Sequence, residues 1–293
     1  MPEVIKNAYA LTAMQVAQYH HDGFLLMRNL FSADELEPLR QAYREDPTIN
    51  GRIYGMEDLQ GKGHPICSWT ELGDDIIGMI PRMARMVDCA EALLGEDCYH
   101  WHSKFSIKSS TCAARVDWHQ DFASWHDDGV LFPDMLTVGL AIEPANRANG
   151  CLQLIPGSHR MGRIEYETFD ARLNMAIERL SVTHVEMEVG DAVFFHSNTL
   201  HGSGLNETDS ERVMVFVTYN ARSNTPLAEM RGKNVEGAFM GIGFEERAYR
   251  PIEKLDDDVL SRCEFKSAFS HSPLHEPRLD LDSSYGRAVK LDQ

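Results

Sequence analysis

The sequence predicts a mainly β fold, a β-sandwich or jelly roll with helices packed outside it. Three observations carry this expectation. Helical signals concentrate in the first part of the chain, short strand-like runs dominate from about Cys98 onward, and turn dipeptides separate those runs. Alternating strands and helices, the mark of a parallel α/β sheet, are missing from that order.

The elements follow in chain order. Thr12-Ala-Met-Gln15 and Ser32-Ala-Asp-Glu35 have the spacing of capping boxes, in which a hydroxyl and the side chain three residues on satisfy free backbone N–H groups. Gly23 is placed to end the first helix. Met83, Met86, Val87, Ala90, Leu93 and Leu94 recur at helical spacing before Gly95, a core-facing stripe with its terminator. From Cys98 the period becomes two: Tyr99, Trp101, Ser103, Phe105 and Ile107 alternate with more polar residues. Further strand-like runs are 136–143, 151–155, 184–189, 192–196 and 213–220, divided by Asp128-Gly129, Asn149-Gly150, Pro156-Gly157 and Gly190-Asp191. Residues 160–180 read as an insertion, helix or loop. One domain is expected, with a helical part over about 1–97, a jelly-roll core over about 98–225 and a polar tail over about 226–293 that serves as a lid or a surface wrap.

Composition narrows the function. Of 293 residues, 43% are apolar and 25% charged, a globular balance. The net charge of −17 excludes a general nucleic-acid binder and disfavours docking on anionic membranes. No apolar run reaches the ~18 residues of a membrane span, and Met-Pro-Glu-Val-Ile-Lys-Asn lacks the order of a signal peptide. Six scattered cysteines form no Cys-x-x-Cys, which fits reduced thiols in a cytoplasmic protein.

Two His-x-Asp patterns stand close together, His119-Gln120-Asp121 and His126-Asp127-Asp128. In an extended chain, residues two apart point the same way, so one strand can offer two ligands to one metal. Asp128 precedes Gly129 and is suited to shape a turn, so local context favours the first pair. A third ligand, His201, follows the apolar run 192–196. Two histidines and one carboxylate with open positions form the facial triad of non-haem Fe(II) oxygenases. Arg212, opening the next strand, is suited to a bidentate carboxylate clamp.

Taken together, His119-x-Asp121, His201 80 residues on and Arg212 eleven residues further resemble the phytanoyl-CoA dioxygenase family. Tyr19–Ser32 is similar to that family's N-terminal helix and first strand, Gly150–His159 to its Pro-Gly-Ser-His segment, and His201–Asn206 to its third-ligand loop. The resemblance spans roughly residues 15–225. It implies a double-stranded β-helix and an Fe(II)- and 2-oxoglutarate-dependent dioxygenase using O₂. It further implies His119, Asp121 and His201 as metal ligands in preference to His126 and Asp128. Arg212 and Ser203 are implied 2-oxoglutarate contacts, joined by Thr137 and Lys104 as candidates. Trp125, Phe216, Arg222 and Asn224 are candidate substrate contacts. His102, Lys104 and Ser106 share one alternating set that faces the interior, while Gly157 and His159 are expected to shape a turn.

Trp118–His126 and Thr218–Asn224 most resemble the ectoine hydroxylase branch. That branch carries Phe-Glu-Thr-Trp-His where this chain has Phe-Ala-Ser-Trp-His, so a substrate other than ectoine is expected. The presence of Asp121 favours hydroxylation over halogenation. No basic cluster suits the phosphates of a CoA ester, which favours a small, free, polar substrate. Two other classes share parts of the pattern: a non-catalytic metal- or ligand-binding jelly roll, and a cupin-like metal enzyme that does not use 2-oxoglutarate. The sequence is silent on oligomeric state.

Overall fold

The N-terminal signals become structure where the caps place them. Thr12 and Ser32 each accept from the N–H three residues on, Gln15 and Glu35 return the bond, and α1 (Ala13–Asp22) and α2 (Ala33–Glu45) follow. Gly23 ends α1 in the left-handed region at φ 82°. The computed structural model describes residues 9–110, 112–164, 177–227, 251–262, 282–283 and 286–289. Two short helices, α3 (Pro47–Asn50) and α4 (Ile76–Met79), precede α5 (Ala84–Leu94), which carries the Met–Leu stripe and ends at Gly95.

The N-terminal part is less purely helical than its composition reads. It contributes β1 (Phe24–Met27), β2 (Tyr54–Glu57) and β3 (Gly63–Trp69). Resemblance anticipated β1, but β2 and β3 were missed. Each is short and interrupted by glycine or proline, so neither shows a clean alternation. The strands that follow are β4 (Cys98–Lys108), β5 (Val116–His119), β6 (Met135–Ala141) and β7 (Leu152–Leu154). After α6 (Phe122–Asp127), which lies between β5 and β6, and beyond β7, the chain forms β8 (Thr183–Val185), β9 (Ala192–His196), β10 (His201–Ser203) and β11 (Arg212–Ala221). In the tail lie β12 (Asp282–Ser283) and β13 (Gly286–Val289).

Nine strands form one antiparallel sheet in the order β1-β9-β6-β11-β4-β3-β2-β13-β12, and four form a second, β5-β10-β7-β8. This is the double-stranded β-helix. Alternation along β11 divides two cores. Val213, Val215 and Val217 face the helices with Phe105, Leu140, Leu36 and Met86, whereas Met214 and Phe216 face the small sheet with Leu152, Leu154 and Val185. Strand β8 is shorter than the predicted 184–189 run, because Met187 pairs only through an isolated bridge to Ala145.

The described tail segment 251–262 is tied to the helical layer through Arg85. This side chain, 2% exposed, bonds Glu35, the Leu30 carbonyl and Asp257. Strand β13 extends the large sheet beyond β2, so this part of the tail is a sheet edge. The expected insertion at 160–180 lies largely outside the described residues, as does the Ser272–Pro277 stretch. No helix among the described residues is long and apolar enough to cross a membrane.

Candidate active site

The site lies between the two sheets, and strand pairing assembles it. His119 ends β5 and is the direct register partner of His201, which opens β10. Their rings approach to 4.1 Å between centroids. So close a pairing needs a small residue next in line: a Cβ at Gly202 would sit 2.8 Å from the Val116 carbonyl oxygen.

The expected geometry of His-x-Asp needs one correction. His119 is extended, but Asp121 already has helical backbone angles (φ −57°, ψ −39°) at the start of α6. The strand-to-helix bend, not strand alternation, swings its carboxylate toward the histidines. Gln120 holds that bend, a role the sequence pattern hid behind an "x". Its side chain donates to the Gly162 and Asn198 carbonyls at 2.9 and 2.8 Å and accepts from the Ile164 N–H at 2.7 Å.

The three side chains offer ligand atoms within 4.8 Å of one another. His119 Nε2 is 3.5 Å and His201 Nε2 is 3.6 Å from the same Asp121 oxygen, Oδ1. Each Nδ1 meets a backbone carbonyl, Asp117 at 2.8 Å and Thr199 at 2.9 Å. A carbonyl only accepts, so each Nδ1 carries its proton and each Nε2 lone pair faces the cluster. Burial and the neighbouring His119 push His201 down to about 3, which keeps it neutral and able to ligate. Burial alone would raise the Asp121 carboxyl, but His201, His119 and Lys104 hold it well below the usual carboxylate range. Two imidazoles and one carboxylate, all buried, fit a divalent iron with positions left open.

Thr137, expected as a co-substrate contact, lines the cavity but spends its hydroxyl on the carboxylate. It donates to Asp121 Oδ2 at 3.1 Å and meets Thr218 Oγ1 at 3.0 Å, its register partner on β11. The sequence marked Thr137 without indicating this partner, which only strand register supplies.

Arg212 opens β11 opposite Lys108 and is 1% exposed. Its Nε and Nη2 have no hydrogen-bond partner among the described residues, although the side chain lines the cavity. Burial lowers its pKa to about 10, which still leaves it charged at neutral pH. A buried, charged guanidinium with two such nitrogens beside a cavity fits a ligand carboxylate. Ser203, Ser106 and His64 line the same cavity, with His64 Nε2 2.8 Å from Ser106 Oγ. His64 was not anticipated, because it belongs to the unrecognised β3.

Lys104 and Phe216 are register partners and both line the cavity, with the ammonium 5.9 Å from the ring centroid. Trp125 is a cavity wall, edge-on to His102 at 5.7 Å. Two expected substrate contacts lie elsewhere. Arg222 is exposed and sits 3.7 Å from Asp97, and Asn224 is buried but committed to the fold. Asn224 donates to the Phe132 carbonyl and Asn220 and accepts from the Phe132 N–H, tying the end of β11 to the loop before β6. His126 is taken by Arg163 at 2.8 Å and belongs to no metal cluster among the described residues.

The fold and the buried His119–Asp121–His201 cluster fit the class of Fe(II)- and 2-oxoglutarate-dependent dioxygenases. Residues 19–214 match the family model described as phytanoyl-CoA dioxygenase (PhyH), and the chain belongs to this family. Among curated relatives, the ectoine dioxygenase of Bordetella parapertussis is 30% identical over 272 residues, covering 85% of this chain and 88% of that one. The L-proline trans-4-hydroxylase of Streptomyces griseoviridis is 29% identical over 237 residues, 73% of this chain and 88% of that one. Among solved structures, EctD from S. alaskensis with 2-oxoglutarate and 5-hydroxyectoine superposes with a TM-score of 0.67 at 24% identity, covering 86% and 89% of the two chains. The protein is an Fe(II)/2-oxoglutarate dioxygenase.

Proposed function

We propose that this dioxygenase, acting as one catalytic domain, hydroxylates an unactivated C–H bond of a small, polar, free metabolite. The observation that carries the reading is the buried His119–Asp121–His201 cluster sharing a cavity with the Arg212 guanidinium, whose Nε and Nη2 have no partner among the described residues. Bound iron would supply the oxidising chemistry, in which O₂ and 2-oxoglutarate yield succinate, CO₂ and one oxygen atom for the substrate.

The chain's own residues do the positioning. His119, Asp121 and His201 would hold the metal. Thr137 fixes the rotation of the Asp121 carboxylate through its hydrogen bond. Arg212 takes the distal carboxylate of 2-oxoglutarate, with Ser203 and Lys104 as further polar contacts in the same cavity. Trp125 and Phe216 form apolar walls that exclude water and orient the reacting carbon.

The substrate differs from ectoine in this reading. The stretch from Phe122 to His126 departs from the ectoine branch at Ala123 and Ser124, and Ser124 lines the cavity. Purified protein given Fe(II), ascorbate and 2-oxoglutarate should release succinate slowly without substrate, and faster with the right metabolite. Absence of both succinate release and iron-dependent 2-oxoglutarate binding would overturn the reading.

A further inference from the structure

Asp128 follows α6 and was read from the sequence as a turn-former. The turn is there, with Gly129 at φ 93°, but it runs on backbone groups alone. The N–H groups of Asp128, Gly129 and Val130 donate to the carbonyls of Ser124, His126 and Trp125. No hydrogen bond or ion pair engages the Asp128 carboxylate among the described residues. Its neighbour Asp127 is differently placed, 3.1 Å from Arg163 and outside the cavity lining.

The Asp128 carboxylate lines the cavity that holds the iron ligands and Arg212. Other carboxylates of that lining have duties. Asp121 belongs to the metal cluster, Asp58 accepts from the N–H groups of Gln60, Lys62 and Arg115, and Asp117 accepts from Leu59. Glu57 is half-buried, as Asp128 is, but stands on β2, the strand that borders the tail. Asp128 follows Trp125 by three residues at the end of α6, and Trp101 and Trp125 line the same cavity and belong to one apolar cluster with Phe122 and Val130. Burial, with Asp127 alongside, pushes the Asp128 carboxyl up to about 7. A carboxylate that shares a cavity with two indoles suits an organic cation, through a charge-assisted hydrogen bond and attraction to the ring quadrupoles.

We propose that Asp128, with Trp101 and Trp125, holds a positively charged nitrogen of the substrate. The substrate class is then a small molecule bearing an ammonium, amidinium or guanidinium group. This rests on the proposed hydroxylase function of the same cavity and adds a charge requirement to it. It also gives the acidic residue a purpose that its turn does not need.

The test is substrate-triggered succinate release from Fe(II)-loaded protein at saturating 2-oxoglutarate. The probes are L-proline, L-lysine, L-arginine, glycine betaine and ectoine, each set against an uncharged or N-acylated counterpart of similar size. Acceleration should come only from the cationic set. Asp128→Asn should raise the KM for the active compound by roughly ten- to a hundredfold, the size expected for a hydrogen bond to a charged group. The KM for 2-oxoglutarate should move by less than about twofold over the same pair, since that site is built from other residues. Asp128→Glu should recover part of the loss if the variant accommodates the longer side chain, and thermal melting of both variants checks that they fold. Acceleration by neutral compounds, no acceleration by any cationic one, or an equal KM in wild type and Asp128→Asn would overturn the inference. Absence of basal succinate release and of 2-oxoglutarate binding would instead remove the underlying hydroxylase reading.

Discussion

Replacing Arg212 by alanine should separate co-substrate binding from metal binding. The guanidinium is buried, and its Nε and Nη2 are unpaired among the described residues. A carboxylate reaching it gains two charge-assisted hydrogen bonds, and breaking such a buried pair costs roughly 3–5 kcal/mol. At ~1.4 kcal/mol per decade, the 2-oxoglutarate KM should rise by about two orders of magnitude or more. Arg212→Lys keeps the charge but loses the fork, and should fall between the two. The assay is the initial rate of succinate formation against 2-oxoglutarate at saturating Fe(II). Anaerobic melting gives an independent reading. Ligand at 100 times its dissociation constant stabilises a protein by ~2.7 kcal/mol, and the same concentration after a hundredfold weakening gives only ~0.4 kcal/mol. Iron content should be unchanged, because the ligand cluster is His119, Asp121 and His201 and does not include Arg212. A monocarboxylic 2-oxo acid should partly restore turnover in the alanine variant. A KM within about threefold of wild type, when at least a hundredfold is expected, would refute the assignment and make Lys104 the next clamp to test.

Alanine at His119, Asp121 or His201 should abolish turnover and metal binding, whereas His126→Ala should keep its iron, as metal analysis of the purified variants will show. Thr137→Val removes the hydrogen bond to Asp121 and should weaken Fe(II) binding by about ten- to a hundredfold, read by metal titration. Asn224→Ala should lower stability by about 2–4 kcal/mol in denaturant unfolding, with the KM for 2-oxoglutarate unchanged, because its bonds serve the β11–β6 connection. Lys108, fully buried with its ammonium on the Ala114 carbonyl, is pushed down to about 7 by burial and by Arg212. Between pH 7 and its unfolded value the unfolded chain binds a proton that the folded one lacks, so this group makes stability rise with pH, and its full cost is present below pH 7. The stability advantage of Lys108→Met over wild type should therefore shrink by roughly 2–3 kcal/mol from pH 7 to pH 9.

Local chemistry was legible where one residue type decides the outcome. The hydroxyls of Thr12 and Ser32 cap helices, Gly23 and Gly95 end them, and the alternation through Phe105 and Val215 sorts β4 and β11 into two faces. Nonlocal pairing was not legible. Strand β3 pairs with the edge that β4 offers and β2 pairs in turn with β3, and His64 enters the cavity through that pairing. Similarly, Thr137 reaches Asp121 because β6 lies beside β11 in the register that sets Thr137 against Thr218. Arg222 and Asn224 show the opposite effect: they follow the strand that Arg212 opens, but lie just past its far end at Ala221 and outside the cavity lining. Asp128 obeyed its turn signal and stays outside the metal cluster among the described residues, while the cavity it lines is one that no turn signal reveals.

The most direct test of the whole account is an anaerobic titration of the Fe(II)-loaded protein with 2-oxoglutarate, followed by the visible charge-transfer absorption that arises when a 2-oxo acid chelates ferrous iron. The account predicts one iron and one 2-oxoglutarate per chain, a band that requires both, loss of iron in Asp121→Ala, and a band in Arg212→Ala that needs far more 2-oxoglutarate. Iron bound without any such band at saturating 2-oxoglutarate, or 2-oxoglutarate bound equally well without iron, would contradict it.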